Sequence, residues 1–161
     1  MQNSLILASG SPRRRELLSL MGITYQICPA DVDEHMTGAP DEVVMALSRR
    51  KALAVAERHS GCTVLGADTL VACRGEIMGK PQDQQDAMRM LMLLSGGENN
   101  VYTGVTVIDG KTGRVDTRCD QTRVHFVPIT PEAAQRYIDS GEPMDKAGAY
   151  GIQGRAAMMV R

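Results

Sequence analysis

The chain has 161 residues, 43% of them hydrophobic, and a formal net charge of −1 at pH 7, which describes one globular domain with room for a core. That balance excludes a general affinity for nucleic acid or anionic membranes, so any basic function has to be local. Aromatics are only 3% and tryptophan is absent, so aliphatic side chains and 11 methionines fill the interior, and base-stacking platforms for single strands are excluded with them.

In chain order, Leu5-Ile6-Leu7-Ala8 is a brief apolar run that predicts a buried strand ended by Gly10. Ser11 is a good N-cap and Pro12 fits the first helical position, so a helix runs on through Glu16, Leu17, Leu18 and Met21 to Gly22. Its first turn carries Arg13, Arg14 and Arg15, against the helix dipole. Peptide N–H groups at a helix start attract anions, and a bound polyanion would resolve that conflict. This is the first sign of a phosphate ligand.

Ile23–Cys28 predicts a second strand, followed by the acidic loop Asp31-Val32-Asp33-Glu34. Asp41 is read as the cap of a long helix from Glu42 to about His59. Thr63–Ala72 is a buried strand interrupted by small residues, then Arg74-Gly75 a turn and Gly79-Lys80-Pro81 a loop. Gln84–Leu94 is a helix with Ala87, Met88, Leu91 and Leu94 on one side, closed by Gly96-Gly97. Tyr102–Ile108 is a strand, Asp109-Gly110 begins a turn, and Arg114–Val127 holds one or two more strands. Thr130-Pro131-Glu132 starts a helix that closes at Gly141, Lys146–Gln153 is glycine-rich, and Ala156–Val160 predicts a last strand. Helices alternate with strands, so the fold class is α/β. There is no run of membrane-spanning length, no signal-peptide pattern, and no paired spacing among Cys28, Cys62, Cys73 and Cys119. The expectation is reduced thiols and a cytoplasmic protein.

Several residues could carry chemistry. Asp68 lies in an apolar strand, where a carboxylate is costly without a partner; it is either a metal ligand or general base, or a strand-end aspartate bonded to backbone. Lys51 falls inside the helical stripe of Val44, Leu47, Ala54 and Val55, so it either snorkels to solvent or delivers an ammonium to a buried anion. Lys80 follows a glycine that permits close approach of a ligand, although a lone loop lysine is ordinarily just solvated. Glu34 has the same two readings. Gln153 offers a donor and an acceptor, for a base edge or for loop backbone. His35, His59 and His125 have no spacing that points to a metal site or a triad.

Taken together, Ser9-Gly10-Ser11-Pro12-Arg13-Arg14, Lys51, Gly66-Ala67-Asp68-Thr69, Gly79-Lys80-Pro81 and Asp145-Lys146-Ala147-Gly148-Ala149-Tyr150-Gly151-Ile152-Gln153-Gly154 stand in the order of the Maf family. The chain strongly resembles those nucleoside triphosphate pyrophosphatases over essentially its whole length. The resemblance implies an elongated, twisted mixed β-sheet flanked by helices, with two lobes around a central cleft, as in the inosine-triphosphatase architecture. It implies hydrolysis between the α- and β-phosphates with a divalent metal, Mg²⁺ or Mn²⁺. Asp68 matches the proton acceptor, and Arg14, Lys51 and Lys80 match catalytic phosphate-holding positions. Ser9 and Ser11 match substrate-binding positions, and Arg13, Thr69 and Gln153 match the specificity positions of the dTTP/UTP branch. Asp68 and Glu34 match the metal carboxylates. The resemblance further implies a nucleotide-pool house-cleaning role and a tendency to form homodimers, with no nucleic-acid or membrane partner. A purine (ITP/XTP) pyrophosphatase and a non-catalytic nucleotide-binding regulator of septum formation are the alternatives. One departure is expected to matter: 1–161 reads as a single Maf-like domain lacking the Gly-Leu-Pro segment and C-terminal helix that the family normally adds.

Overall fold

The apolar run ahead of Gly10 forms β1 (Leu5–Leu7) in the computed structural model, which describes residues 4–161. It is followed by α1 (Pro12–Leu20), β2 (Tyr25–Ile27), α2 (Pro40–Ala56), β3 (Thr63–Cys73) and β4 (Glu76–Met78). Then come α3 (Gln84–Leu94), β5 (Glu98–Asp109), β6 (Val115–His125), α4 (Pro131–Ile138) and three 3-10 turns, Glu142–Asp145, Ala147–Ala149 and Arg155–Met159. The sheet is mixed, in the order β2-β1-β3-β5-β6, with β4 paired to β3 off that path. β1 runs parallel to both neighbours, Leu5 standing opposite Tyr25 and Thr63. Parallel neighbours need a crossover, and α1 supplies the one between β1 and β2. β4 folds back antiparallel on β3 through Arg74 (φ 51°) and Gly75 (φ 83°), the positive pair that a tight hairpin turn demands.

The chain divides into two compact units. The first holds the described residues up to Asp68 and Thr103–Asp120; the second holds Thr69–Tyr102 and Gln121–Arg161. β3, β5 and β6 contribute residues to both.

In the first unit the core is Ile6, Ala8, Ala52, Val55, Val64 and Ile108. Helix α2 lies directly on strand backbone there. A Cβ at Gly66 would collide with the Ser48 carbonyl and stand 2.8 Å from the Ala52 amide, and a Cβ at Gly104 would collide with the Val44 carbonyl. A buried hydroxyl chain crosses the same contact: Ser48 Oγ lies 2.9 Å from Thr106 Oγ1, which lies 2.9 Å from Thr117 Oγ1. In the second unit α3 and α4 pack with Val71, Met78, Phe126, Tyr150 and Met159. Phe126 and Tyr150 meet edge to face at 4.9 Å. The Tyr150 hydroxyl donates to Asn99 Oδ1 (2.9 Å), and Asn99 Nδ2 donates to the Val124 carbonyl (3.2 Å), so this core's buried polar groups are satisfied.

Several boundaries differ from the sequence expectation; β2 is shortened to Tyr25–Ile27, and α4 ends at Ile138 ahead of Gly141. Helix α2 begins at Pro40, not after Asp41: proline's fixed φ and missing N–H suit the first helical position, and Asp41 sits inside the first turn, where its charge favours the dipole. The helix ends at Ala56 rather than near His59. Strand β5 begins at Glu98, four residues early, because Asn99 is held inside the core. The segment Ala156–Val160 is a 3-10 turn with a single bridge, Val160 to Phe126, and not a strand. Ala156 and Met159 are buried while Met158 is 81% exposed, and a spacing of three is the 3-10 period. On α3 the buried face includes Met90, with Met88 at its margin. The strand β4 has no counterpart in the sequence reading, since three residues with one buried side chain leave no period to detect.

Candidate functional site

Helix α1 starts where the sequence places it, with Ser11 as N-cap and Pro12 at the first position. Its end is set by Gly22, whose φ of 69° lets its N–H reach back to Ser19. The Ser11 side chain makes no capping bond; instead the Ser11 N–H donates to Ser9 Oγ (3.3 Å). Ser9 is buried, and its hydroxyl also accepts from Arg14 Nη1 at 2.9 Å. The same nitrogen donates to the Ala67 carbonyl at 2.9 Å, so Arg14 ties the start of α1 to strand β3. Burial pulls the Arg14 guanidinium below its ordinary value, and the negative charges of Asp68 and Glu34 push it back up.

Asp68 follows Ala67 on β3 and is 8% exposed. Lys51, on the inner face of α2, is equally buried and donates to Asp68 Oδ1 at 2.6 Å. The Lys51 ammonium also lies 3.0 Å from Glu34 Oε1, a carboxylate that is 60% exposed. The snorkelling alternative for Lys51 is thereby set aside: a buried ammonium is tolerated because two carboxylates meet it. Its neighbour Arg50 turns outward and donates to the Asp33 carbonyl (2.5 Å), which helps hold the acidic loop over this end of α2.

Ser9, Arg14, Lys51, Asp68 and Glu34 thus share one charged network inside the first unit. Arg13 lies outside it, paired with Glu16 at 2.7 Å on the exposed side of α1. The three first-turn arginines therefore have distinct fates. Arg13 and Arg14 find protein partners, while Arg15 Nε is buried without a hydrogen-bond partner. Thr69, Lys80 and Gln153 belong to the second unit. Thr69 is half-buried on β3, Lys80 is exposed in the loop before α3, and Gln153 is exposed at a corner of the turn closed by Gly154 N–H to Gly151 O (2.9 Å). Sequence reasoning passed over the Ala67 carbonyl, which has no side-chain signature, and Arg15, which reads as one more basic residue in a run.

Among the described residues no group of three or more His, Cys, Asp and Glu side chains is placed to hold a metal ion. Two carboxylates, Asp68 and Glu34, do converge on one point, the Lys51 ammonium. Two hard oxygen donors completed by phosphate oxygens fit Mg²⁺ or Mn²⁺, which are commonly held through one or two carboxylates and substrate. All four cysteines are free, and among the described residues no helix is long and apolar enough to cross a membrane.

The sequence pattern of the Maf family, described as Maf-like protein, matches residues 4–161. A relative from Symbiobacterium thermophilum named dTTP/UTP pyrophosphatase is 50% identical over 158 residues, covering 97% of this chain and 80% of the relative. Relatives of the same name from Agathobacter rectalis and Pelotomaculum thermopropionicum are 47% and 45% identical, covering 99% and 98% of this chain and 86% and 83% of their own lengths. With Ser9, Arg14 and Lys51 of the motifs in one network with Asp68 and the match running almost from end to end, the chain belongs to the Maf family.

Proposed function

We propose that the chain hydrolyses dTTP and UTP to the nucleoside monophosphate and pyrophosphate. The observation that carries this reading is the buried Lys51–Asp68 pair beside Arg14, in a chain about half identical to proteins of that name. A carboxylate buried in a strand and held by an ammonium is aimed by its partner, as a general base must be. Lys51 fixes Asp68 through Oδ1, and the other carboxylate oxygen takes the proton of the attacking water. The water oxygen bonds to the α-phosphorus, the bond to the α–β bridging oxygen breaks, and pyrophosphate leaves with that oxygen. Arg14 and the N-terminal peptides of α1 hold the phosphates, charged hydrogen bonds contributing about 1.5–3 kcal/mol each.

Charge counting supports a divalent cation. Within the network two cations, Arg14 and Lys51, face two carboxylates, Asp68 and Glu34, so a bare triphosphate meets little net positive charge there. Asp68 and Glu34 would hold the ion, whose chemistry is to neutralise the phosphate oxygens and polarise the reacting phosphorus. For Arg13, Ser11, Thr69, Lys80 and Gln153 the family resemblance supplies the roles: Lys80 on phosphate, and Arg13, Thr69 and Gln153 on substrate choice. Gln153 can pair with the O4 and N3–H edge shared by uracil and thymine, because it offers both a donor and an acceptor. The free cysteines support a cytoplasmic setting.

Incubation with dTTP, UTP, ITP and ATP plus Mn²⁺, followed by chromatography of the products, tests the reading. Pyrophosphate from dTTP and UTP is expected. Orthophosphate in its place overturns the bond assignment, and a preference for ITP overturns the pyrimidine assignment. Asp68→Asn is expected to lower kcat by roughly 10²–10⁴-fold while nucleotide still raises the melting temperature. A wild type that turns over nothing, and is stabilised by nucleotide as much as Asp68→Asn, would make the chain a binder without chemistry.

A further inference from the structure

The turn that carries Gln153 is exposed and short, yet both of its ends lead to one side chain. Ile152 and Gln153 occupy its corners, between Gly151 and Gly154. On the far side, the Arg155 N–H donates to Glu142 Oε1 at 3.0 Å and to Oε2 at 3.2 Å. On the near side, the Gly151 N–H donates to the Tyr137 hydroxyl (3.3 Å), which in turn donates to Glu142 Oε1 (3.1 Å). Tyr137 is itself 4% exposed and fixed in α4, so it is a rigid relay between the carboxylate and the turn.

The carboxylate lies flat on the turn. A Cβ at Gly154 would collide with Glu142 Oε1, so no residue with a side chain fits at 154 while Glu142 holds this position. Lys146 supports the same arrangement from below. Its ammonium donates to the Glu142 carbonyl (2.9 Å) and to Asp145 Oδ1 (2.6 Å), and its methylenes line Gly151, where a Cβ would sit 2.7 Å from Cε. The unit's apolar core packs on Tyr137, Tyr150, Ala156 and Met159, so Tyr137 joins that core to the turn. What the bonds restrain is the five-residue arch that presents Gln153.

We propose that Glu142 is the positioning residue for Gln153, its carboxylate anchoring the turn at Arg155 directly and at Gly151 through the Tyr137 hydroxyl. The inference rests on the reading of Gln153 as the group that recognises the pyrimidine edge. An amide reads a base only if its donor and acceptor are presented in a fixed order, and an exposed turn with unanchored ends would have to be ordered at each binding event. Glu142 supplies that order in advance without touching substrate.

Steady-state kinetics on dTTP, UTP and ITP, combined with amide hydrogen exchange, separate this from a merely structural role. Glu142→Ala is expected to raise KM for dTTP and UTP about tenfold, the worth of roughly one hydrogen bond, with kcat within about twofold of wild type and the preference over ITP reduced by a similar factor. The Gly151 and Arg155 amides lose exchange protection in the same variant. Glu142→Gln keeps an acceptor oxygen and restores both readouts. Tyr137→Phe keeps the ring in the core and frees the Gly151 amide while Arg155 stays protected; it carries the test alone if Glu142→Ala does not fold. Unchanged KM and base preference in a folded Glu142→Ala, or a loss confined to kcat, overturns the inference. If the wild type hydrolyses no pyrimidine triphosphate, the proposed function fails by itself and the exchange data still decide whether Glu142 holds the turn: unaltered protection at Gly151 and Arg155 refutes it.

Discussion

Lys51 shows how one residue can be legible in sequence and still undecided. Its place in the stripe of Val44, Leu47 and Val55 put it on the inner face of α2, but helical spacing says nothing about what waits there. The answer comes from β3 and the acidic loop, where Asp68 and Glu34 meet its ammonium. Removing one member of such a pair leaves the other buried and uncompensated. Lys51→Ala is therefore expected to lower unfolding free energy by about 3 kcal/mol in urea titrations, while Lys51→Met combined with Asp68→Asn recovers much of that loss. Tyrosines offer a pH test. Desolvation chiefly raises the Tyr137 and Tyr150 hydroxyls above their ordinary value of 10.0. The folded state holds those protons more tightly than the unfolded chain does, so the stability they confer is complete below that pH and falls as pH rises beyond it. Melting temperatures should decline above pH 10, and the phenolate absorbance of these two rings should appear together with unfolding and not before it.

At the scale of elements, the long periodic segments behaved as their patterns require. Helix α3 spans Gln84–Leu94 as expected because its cap, period and closing glycines agree, and Asp83 accepts the Asp86 N–H at its start. Apart from the ends of α2 and the start of β5, the failures fell on short elements, where periods of two and three cannot be told apart over three to five residues. Ala156–Val160 was apolar enough for a strand, but neighbours decided which of its side chains were covered. Close approach is the other element-scale result. Gly66 sits in the motif beside Asp68, and its lack of a side chain is what lets α2 lie on β3 with Lys51 in reach. Gly66→Ala and Gly104→Ala should each cost about 1–3 kcal/mol in denaturant midpoint, the usual penalty of overpacking. Gly66→Ala should also depress kcat, since the displaced helix carries Lys51, whereas the open turn at Gly113 should accept alanine at the smaller cost of its φ of 74°. A Gly66→Ala variant with native kcat would show that this contact does not set the catalytic distance.

For the whole molecule, binding and stability are linked by mass action. Nucleotide together with Mn²⁺ at a hundred times its dissociation constant should add about 2.7 kcal/mol to unfolding free energy. Because the two cations of the network are already matched by two carboxylates, dTTP in EDTA should give a much smaller thermal shift than dTTP with the metal. Equal shifts in the two conditions would show that the carboxylates take no part in holding a cation. The near-neutral chain makes a complementary point: the shift should fade with added salt as a local interaction does, without the steep dependence of a molecule that binds polyanions over its surface.

Sequence alone determined the α/β alternation, the starts of α1 and α3, the strand that carries Asp68 and the family, since each is written in local chemistry: caps, glycines, periodicity and motifs that survive in a linear string. Tertiary structure alone decided that Lys51 is buried and paired, that Arg14 bridges Ser9 and Ala67 while Arg13 turns to Glu16, and that Glu142 grips the turn of Gln153. These facts depend on which residues, 3 to 53 positions apart, come within hydrogen-bond distance. A charged side chain does not encode its partner; the folding of the backbone around glycines and short turns selects it.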